Sequence, residues 1–187
     1  MGNREDLLAG AKQCLYEKGY ARTTARDIAS AAGVSLAAIG YHYGTKDDLL
    51  NAALYQALGE WSDDLSAALT STNRQDATPA ERFAEMWTQV IRSFGANRRL
   101  WAVQFELLAF LDSKPDLRAA FAKANDEARA GLVQLFGHAQ GDGADAVGAV
   151  YHALVGGLAA QWLVDPDAAP SGDDLLAAVR TIAASVT

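Results

Sequence analysis

Three side chains that can bind phosphate lie close together near residue 45. Tyr41, His42 and Lys46 offer a hydroxyl, an imidazole and an ammonium group. Phosphate oxygens accept hydrogen bonds from such groups and from the free backbone N–H groups at the start of a helix. Three predicted helix starts lie at or before this cluster, at Thr24, Ser35 and Thr45. These residue types at this spacing predict contact with a nucleic-acid backbone.

Local signals around these side chains predict four helices that would position them. Thr24 with Asp27, and Thr45 with Asp48, have the three-residue spacing of a capping box. Gly33 falls in the turn between the second and third helices, and two short helices joined by such a turn are typical of a helix-turn-helix. The predicted helices span Arg4 to Lys18, Thr24 to Ala32, Ser35 to Tyr41 or His42, and Thr45 to about Leu69.

The third of these helices is short for an ordinary bundle. It covers about seven residues and ends in aromatic and imidazole side chains, which leaves little apolar surface for packing. Its composition makes sense if the exposed side enters a DNA groove. An ordinary helical hairpin inside a bundle is the alternative that this pattern leaves open.

Composition predicts a packed, soluble, all-helical protein of about nine helices. Half of the 187 residues are apolar, 21% are charged, and no stretch alternates as a strand would. The net charge of −7 argues weakly against nucleic acid. However, residues 1–46 carry six Lys or Arg against four Asp or Glu. A single cysteine, Cys14, excludes an internal disulfide and suits a reducing compartment, so we expect a cytoplasmic protein.

A polar stretch from Thr70 to Ala77 predicts the boundary between two domains. Residues 1–50 would form the helix-turn-helix domain, the fourth helix (about 46–69) would connect, and residues 70–187 would form a helical domain for ligand binding and dimerisation. Five further helices are predicted, at Thr78 to about Phe94, Arg98 to Leu111, Pro115 to about Gly137, a stretch after the turn Gly141 to Gly143 that ends at Val164, and Ser171 to about Ser185.

The eighth predicted helix has two different faces. Bulky residues recur on one side, at Val147, Tyr151, Leu154, Leu158 and Trp162, and small residues recur on the other, at Ala149, Ala153, Gly156 and Ala160. One face can pack within its own subunit while the other approaches a second helix closely. With the apolar stripe of the last helix, this predicts a four-helix homodimer interface around a two-fold axis.

Residues 146–164 contain no charged side chain and are nearly long enough to cross a bilayer. No Lys or Arg flanks the stretch, and acidic residues bracket it at Asp142, Asp145, Asp165 and Asp167. We therefore expect a helix buried on two sides in a soluble oligomer, and no contact with a membrane.

The predicted helices five to eight are rich in aromatic residues with polar groups among them. An apolar cavity with a few polar groups is the common form of a small-molecule site. Ordinary core packing is the alternative for each of these side chains. The candidate ligand-binding residues are Trp87, Trp101, Gln104, Phe105, Phe121, Asn125 and His152. The three histidines and one cysteine have no metal-ligand spacing and no Gly-rich phosphate loop is present, so no metal, cofactor or enzymatic activity is expected.

The stretch from Thr23 to Leu50, TTARDIASAAGVSLAAIGYHYGTKDDLL, resembles the DNA-binding domain of the TetR family of bacterial regulators. The resemblance covers about residues 4–50 in detail and the helical plan beyond. It implies a dimeric, sequence-specific transcriptional regulator, a repressor released by a small-molecule effector, that binds a near-palindromic DNA operator.

Matched by position, the resemblance assigns a role to each candidate DNA-binding residue. Thr24 would meet phosphate and Arg26 phosphate or a base edge, while His42 and Lys46 match the family's phosphate contacts. The helix start at Ser35 would lie beside the DNA backbone. The side chains expected to face the major groove are Leu36, Ala37, Ala38 and Tyr41.

Two departures from the family pattern affect this expectation. Gly40 stands where the family often has a tyrosine that contacts phosphate, so Tyr41 would take part of that role. Leu36, Ala37 and Ala38 cannot form hydrogen bonds to bases, which leaves thymine methyl groups, Arg26, Tyr41 and DNA shape for discrimination. A helical ligand-binding or interaction protein with vestigial DNA binding is the competing hypothesis.

Overall fold

The computed structural model describes residues 3–72, 76–136, 141 and 143–186. Within these ranges the chain forms helices and no strand, which confirms the all-helical prediction. The helices are α1 (Asn3–Lys18), α2 (Ala25–Ala32), α3 (Ala37–Tyr43), α4 (Lys46–Thr72), α5 (Pro79–Ala96), α6 (Arg98–Leu108), α7 (Pro115–Leu135), α8 (Ala144–Val164) and α9 (Gly172–Val186). Residues 73–75 of the predicted linker lie outside the described residues. So do Gly137, the predicted end of the seventh helix, and Asp142 in the turn that follows it.

Most of the predicted helix starts are confirmed by their hydrogen bonds. Thr24 and Asp27 form a reciprocal capping box at α2, and Thr78 and Glu81 form another at α5. Thr45 accepts a hydrogen bond from the backbone of Asp48 at 3.0 Å. At α9, the backbone N–H of Asp174 donates to Ser171 Oγ at 3.1 Å. Each contact spans three residues, which is why local sequence predicts it.

The predicted start of the third helix was wrong. Ser35 does not cap a helix: α3 begins at Ala37, and Leu36 precedes it without a side-chain capping bond. Instead, the backbone N–H of Ala38 donates to the carbonyl of Ser35 at 3.0 Å. This bond spans three residues, as in a 3₁₀ turn, so a backbone turn without a side-chain cap leads into α3.

The chain divides into two compact units. Unit 1 contains the residues up to Ser62 together with Arg99–Leu117, and unit 2 contains Asp63–Arg98 and Arg118–Thr187. These units group α6 and the turn after it with the N-terminal helices. The predicted division at residue 70 into functional domains stays a prediction. The assignment of ligand binding and dimerisation to residues 70–187 stays a prediction.

In unit 1, α1 packs against α2 and α3 to build the predicted helix-turn-helix. Leu7 and Ile28 are completely buried between these helices, and Ile39 of α3 is almost completely buried. Gly33 ends α2 with a positive φ of 65°, in the left-handed conformation expected of the turn. The core holds α2 and α3 at a fixed angle, which sets the direction of the outer face of α3.

In unit 2, α5 packs against α8 and α9 around an aromatic core. Trp87 and Phe94 of α5 are completely buried, and Tyr151 of α8 is almost so. The first residue of α9 approaches α5 very closely. A Cβ atom on Gly172 would lie 1.9 Å from the carbonyl oxygen of Ala84, so only glycine fits there without moving a backbone.

Among the described residues, α8 is the one helix long and apolar enough to pass a test for a membrane span. Only 28% of the most apolar 18-residue stretch of α8 is buried inside the chain. Tyr151 and Leu158, from the predicted bulky face, are buried, whereas Ala153 on the small face is exposed. The other residues of the small face, Ala149, Gly156 and Ala160, are half-buried.

We expect Gly172→Ala to destabilise the protein by about 1–3 kcal/mol, because the new methyl group would force α9 away from α5. The matched control is Gly131→Ala on α7, where a Cβ atom meets nothing within 4 Å. That change should be neutral or slightly stabilising, since alanine favours helix over glycine. Thermal unfolding measures both. Equal midpoints for the two variants would contradict the close approach of α9 to α5.

Candidate nucleic-acid interface and ligand pocket

The start of α2 is fixed by a small polar network. Asp27 accepts hydrogen bonds from the backbone and hydroxyl of Thr24 at 2.9 and 2.7 Å, and from Lys18 Nζ at 2.6 Å. The bond from Lys18, followed by those from Thr24, lowers the pKa of Asp27 well below its ordinary value. The carboxylate is therefore ionised, and Thr24 is held at the start of α2, where the first backbone N–H groups of a helix have no partner within the helix and can meet an anion.

The turn that leads into α2 is held from two sides. Thr23 is buried, and its hydroxyl donates to the carbonyl of Gly19 at 2.6 Å. On the other side, the carboxylate of Glu106 accepts the backbone N–H groups of Tyr20 and Ala21, both at 3.0 Å. All of these residues belong to unit 1. Sequence reasoning did not single out Glu106, since it lies 85 residues from Ala21.

The structure leaves most of the predicted groove-facing residues accessible. Tyr41 is 85% exposed and Leu36 is 49% exposed. Such exposure of large apolar side chains is typical of a surface that meets a partner. Four other candidates are also exposed, namely Thr24, Arg26, Ser35 and Ala37. Ala38 differs, because only 8% of its surface is exposed and its methyl group points into the packing of unit 1.

The two remaining DNA candidates, His42 and Lys46, are half-buried. The His42 ring meets Tyr41 edge to face, with 4.8 Å between ring centroids. Lys46 Nζ donates to the carbonyl of Thr23 at 3.1 Å and lies 3.2 Å from a carboxylate oxygen of Asp47. The ammonium group thus lies beside the turn into α2 and brings the start of α4 close to Thr24.

Asp47 is a second residue that sequence reasoning missed. Its carboxylate also pairs with Lys114, which follows α6 in unit 1. Burial raises the pKa of Asp47, but the hydrogen bonds from Lys114 and Lys46 outweigh it and hold the pKa below its ordinary value. Both ammonium groups also lie over the ring of Tyr20, at 5.6 Å for Lys46 and 5.1 Å for Lys114.

The candidate ligand-binding residues are divided between the two units. In unit 1, Trp101 is buried, and Gln104 and Phe105 are half-buried. Gln104 Oε1 is buried without a hydrogen-bond partner in the part of the chain that the structure describes. Trp101 packs edge to face on Trp61, with 5.1 Å between their centroids.

In unit 2, Trp87 and Phe121 are buried, and Asn125 and His152 are half-buried. Trp87 Nε1 has no hydrogen-bond partner among the described residues although its side chain is completely buried. Desolvation, and then the charge of Arg129, lowers the pKa of His152. His152 is therefore neutral at physiological pH, as a residue in an apolar site would be.

Unit 2 contains a groove of about 1280 Å³ beside its aromatic core. Phe136 and Tyr151 line it and stack with 4.3 Å between their centroids, and Trp87 stacks behind Phe136 at 5.2 Å. Carboxylates of Glu81, Glu85 and Asp173 also line the groove. Of the seven predicted pocket residues, none lines this groove, so those residues stay a prediction.

A metal site would need several His, Cys, Asp or Glu side chains close together. Within the described ranges, no group of three or more of these side chains could hold an ion. Cys14 is buried, and burial raises the pKa of its thiol.

The two-helix packing, the free start of α2 and the exposed α3 define a helix-turn-helix DNA-binding protein. Residues 7–53 match the family model described as bacterial regulatory proteins, tetR family. Residues 78–185 match the model described as tetracyclin repressor-like, C-terminal domain. The chain therefore belongs to the TetR family and is a DNA-binding transcriptional regulator. The family consists of regulators rather than enzymes, and its members are soluble cytoplasmic proteins.

Individual relatives agree along most of the chain. The transcriptional regulator TtgR of Pseudomonas putida is 28% identical over 174 residues, which cover 88% of this chain and 81% of that protein. The regulator PksA of Bacillus subtilis is 24% identical over 170 residues, covering 87% and 80%. A putative regulator from Saccharomonospora viridis, solved in complex with choline, has a TM-score of 0.64 at 25% identity, covering 95% of this chain and 93% of that one.

Asp27→Ala should lower the thermal midpoint at neutral pH, since it removes the capping box and the pair with Lys18. The depressed pKa means that the stabilisation exists above the ordinary value of 3.8 and is lost as the pH falls below it. The gap between variant and wild type should therefore narrow in acid. The exposed Asp126→Ala serves as control, because its carboxylate makes only a 3.5 Å surface pair with Arg129. A gap that stays constant with pH would contradict the assigned role of Asp27.

Proposed function

We propose that this chain is a homodimeric, sequence-specific repressor that works in the cytoplasm and leaves its operator when a small apolar or amphipathic molecule binds. One observation carries the DNA-binding part of the proposal. Tyr41 is 85% exposed on α3, the helix that also carries the buried residues Ala38 and Ile39. An exposed phenol in the last turn of α3 is free to enter a DNA groove.

The positions beside Tyr41 support phosphate contact on both sides of α3. Thr24 and Arg26 begin α2, and both side chains are exposed. His42 and Lys46 lie at the end of α3 and the start of α4. Hydroxyl, guanidinium, imidazole and ammonium groups are the common partners of DNA phosphates. Contacts from both sides would hold α3 in the major groove.

Base discrimination would rest on a small number of groups. Leu36 and Ala37 are exposed and apolar, so they can contact thymine methyl groups but cannot hydrogen-bond a base edge. Arg26 can bind a guanine, and Tyr41 can donate or accept one hydrogen bond. The remaining specificity would come from DNA shape, since phosphate contacts also respond to groove width.

Dimerisation would occur through α8 and α9. On α9, the apolar residues Val179, Ile182 and Val186 are 40%, 63% and 80% exposed. The predicted small face of α8 adds Ala153, which is also exposed, and Gly156, which is half-buried. Exposed apolar side chains at helical spacing on α9 favour a protein interface there. A two-fold dimer would place two recognition helices about 34–36 Å apart, one turn of DNA.

The effector site is proposed for the helices that carry the aromatic residues. Two buried polar atoms without partners, Trp87 Nε1 in unit 2 and Gln104 Oε1 in unit 1, could each pair with a ligand. The aromatic groove of unit 2 offers further apolar surface. The related structures include one with choline and one, at 20% identity, of a multidrug binding protein with proflavin. Their bound molecules favour an effector of similar size for this chain.

Release from DNA would follow from a population shift. An effector that binds more tightly to one arrangement of the dimer stabilises that arrangement by the difference in its affinities. If the favoured arrangement spaces the recognition helices so that they no longer fit successive grooves, operator affinity falls. Neither new chemistry nor unfolding is required, because only the spacing changes.

Tyr41→Ala should weaken operator binding about tenfold or more, because a contact with the groove is lost. The thermal midpoint should not change, since the side chain is 85% exposed. The probe is a duplex selected from a random pool by the wild-type protein, and affinity is measured by fluorescence anisotropy. Tyr41→Phe separates the hydroxyl from the ring, and Leu108→Ala is the control for shortening an exposed apolar side chain of unit 1.

An unchanged affinity for Tyr41→Ala would contradict the proposed interface. The competing hypothesis, a ligand-binding protein with vestigial DNA binding, predicts that same result together with weak binding to every duplex tested. The exposed apolar residues Leu36 and Ala37 are the features that would fit it.

Ile182→Glu should convert the dimer into a monomer, because a carboxylate would be buried against apolar surface without a partner. Light scattering after size exclusion measures the mass. Operator affinity should fall as well, since one module alone loses half of the contacts. Arg180→Glu provides the matched control, because position 180 lies on the opposite face of α9 from Ile182 and is exposed. A dimeric Ile182→Glu protein would argue against α9 as the interface.

A further inference from the structure

We propose that Glu106 is a positioning residue for operator binding: its carboxylate fixes the turn between α1 and α2, and with it the helix start at Thr24. This inference rests on the proposed function. Glu106 belongs to α6 and lies 86 residues from Tyr20, yet it is in the same compact unit. The role assigned here is indirect, since Glu106 itself would not touch DNA.

The contact is made by both oxygens of one carboxylate. Oε2 accepts the N–H of Tyr20 and Oε1 accepts the N–H of Ala21, each at 3.0 Å. Two adjacent backbone donors are thus held by one rigid planar group. Hydrogen bonds to an ionised acceptor are stronger than neutral ones, and a pair of them fixes orientation as well as distance. The turn cannot rotate about this carboxylate without breaking a bond.

Gly19 shows that the turn and the carboxylate fit each other closely. Its φ of +81° lies in the region that glycine adopts without strain. A Cβ atom at this position would lie 2.6 Å from Oε2 of Glu106, closer than atoms can approach. Gly19 therefore serves two purposes: it adopts the conformation of the turn, and its lack of a side chain leaves space for the carboxylate of Glu106.

Only two residues, Arg22 and Thr23, lie between Ala21 in the held turn and Thr24 at the proposed DNA-contacting start of α2. The backbone N–H of Ala21 donates to Glu106, Thr23 is buried, and Thr24 caps α2. Lys46 donates to the carbonyl of Thr23, so a second proposed phosphate contact depends on the same stretch. A shift of the turn would displace both groups from the positions that phosphates occupy, which is why Glu106 matters for affinity.

A second contact from the same segment supports the assignment. Lys114, a few residues beyond α6, pairs with Asp47 beside Lys46. The segment 99–117 therefore contacts the N-terminal helices of unit 1 at two points. The carboxylate of Glu106 accepts backbone N–H groups, and the ammonium group of Lys114 pairs with the carboxylate of Asp47. Together they fix the ends of α1 and α4 that flank the proposed phosphate contacts.

Glu106→Ala is the central test, because a positioning role and a purely electrostatic role of Glu106 predict opposite changes in operator affinity. Removing a negative charge near DNA should tighten binding slightly, whereas loss of positioning should weaken it, by about tenfold. Glu127→Ala is the matched control: it removes the same charge from the exposed surface of α7. The probe is the duplex selected by the wild-type protein, titrated at several salt concentrations. Loss of one phosphate contact would make the salt dependence shallower by about one ion.

Amide hydrogen exchange gives a readout at the contact itself. In Glu106→Ala, the amides of Tyr20 and Ala21 should exchange faster, while those in the middle of α5 keep their wild-type rates. Glu106→Gln retains one acceptor oxygen, so it should recover part of the affinity and protect one of the two amides. Because Gln preserves the size of the side chain, this variant also decides the question if Glu106→Ala fails to fold.

Gly19→Ala approaches the same contact from the other partner. The new methyl group should displace the carboxylate and weaken operator binding in the wild type. In the Glu106→Ala background the clash is gone, so the added loss should be smaller and should reflect backbone strain alone. Losses that simply add would show that the two residues act independently and would overturn the proposal.

The outcomes separate this inference from the proposed function. If Tyr41→Ala weakens binding but Glu106→Ala leaves it unchanged or tighter, the positioning role is wrong and the DNA interface stands. If neither variant changes the affinity, the proposed interface itself fails. Weakening by both, with Glu127→Ala at or above wild-type affinity, supports the positioning role.

Discussion

The turn between α1 and α2 is the constraint on which the DNA-binding unit depends. It is fixed from inside by the buried hydroxyl of Thr23, at its end by the capping box of Thr24, and from α6 by the carboxylate of Glu106. None of these contacts is large in area, but each is a directed hydrogen bond to backbone or to an ionised group. Directed bonds fix geometry, and a surface that must match phosphates within a fraction of an ångström needs fixed geometry.

Those features of the fold that depend on near neighbours could be predicted from the sequence. The helix starts at Thr24, Thr45 and Thr78 each involve a carboxylate three residues on. Thr24 and Thr78 form complete capping boxes, and the hydroxyl of Thr45 accepts the backbone N–H of Asp48. The helix-turn-helix was predicted for the same reason, since Gly33 and the short α3 are local signals. The start of α3 was the exception, because a turn of backbone hydrogen bonds replaces the expected cap at Ser35.

The features that depend on distant residues could not be predicted. Nothing near Glu106 in the sequence indicates that its carboxylate will meet the N–H groups of Tyr20 and Ala21, and Lys114 gives no sign of its pairing with Asp47. The burial of Ala38 likewise depends on how the packed helices are rotated. In unit 2, the aromatic composition predicted an apolar interior, but which side chains line a groove depends on helix positions that local patterns do not determine.

Selection of bound DNA from a random pool by the full-length protein tests the central claim most directly. A dimer whose exposed α3 helices enter successive major grooves should enrich one inverted repeat, with half-sites centred about 34–36 Å apart. Because few groups can hydrogen-bond bases, we expect a short conserved core in each half-site, flanked by positions that vary. Enrichment of a single half-site, or of no sequence above the starting pool, would contradict the account.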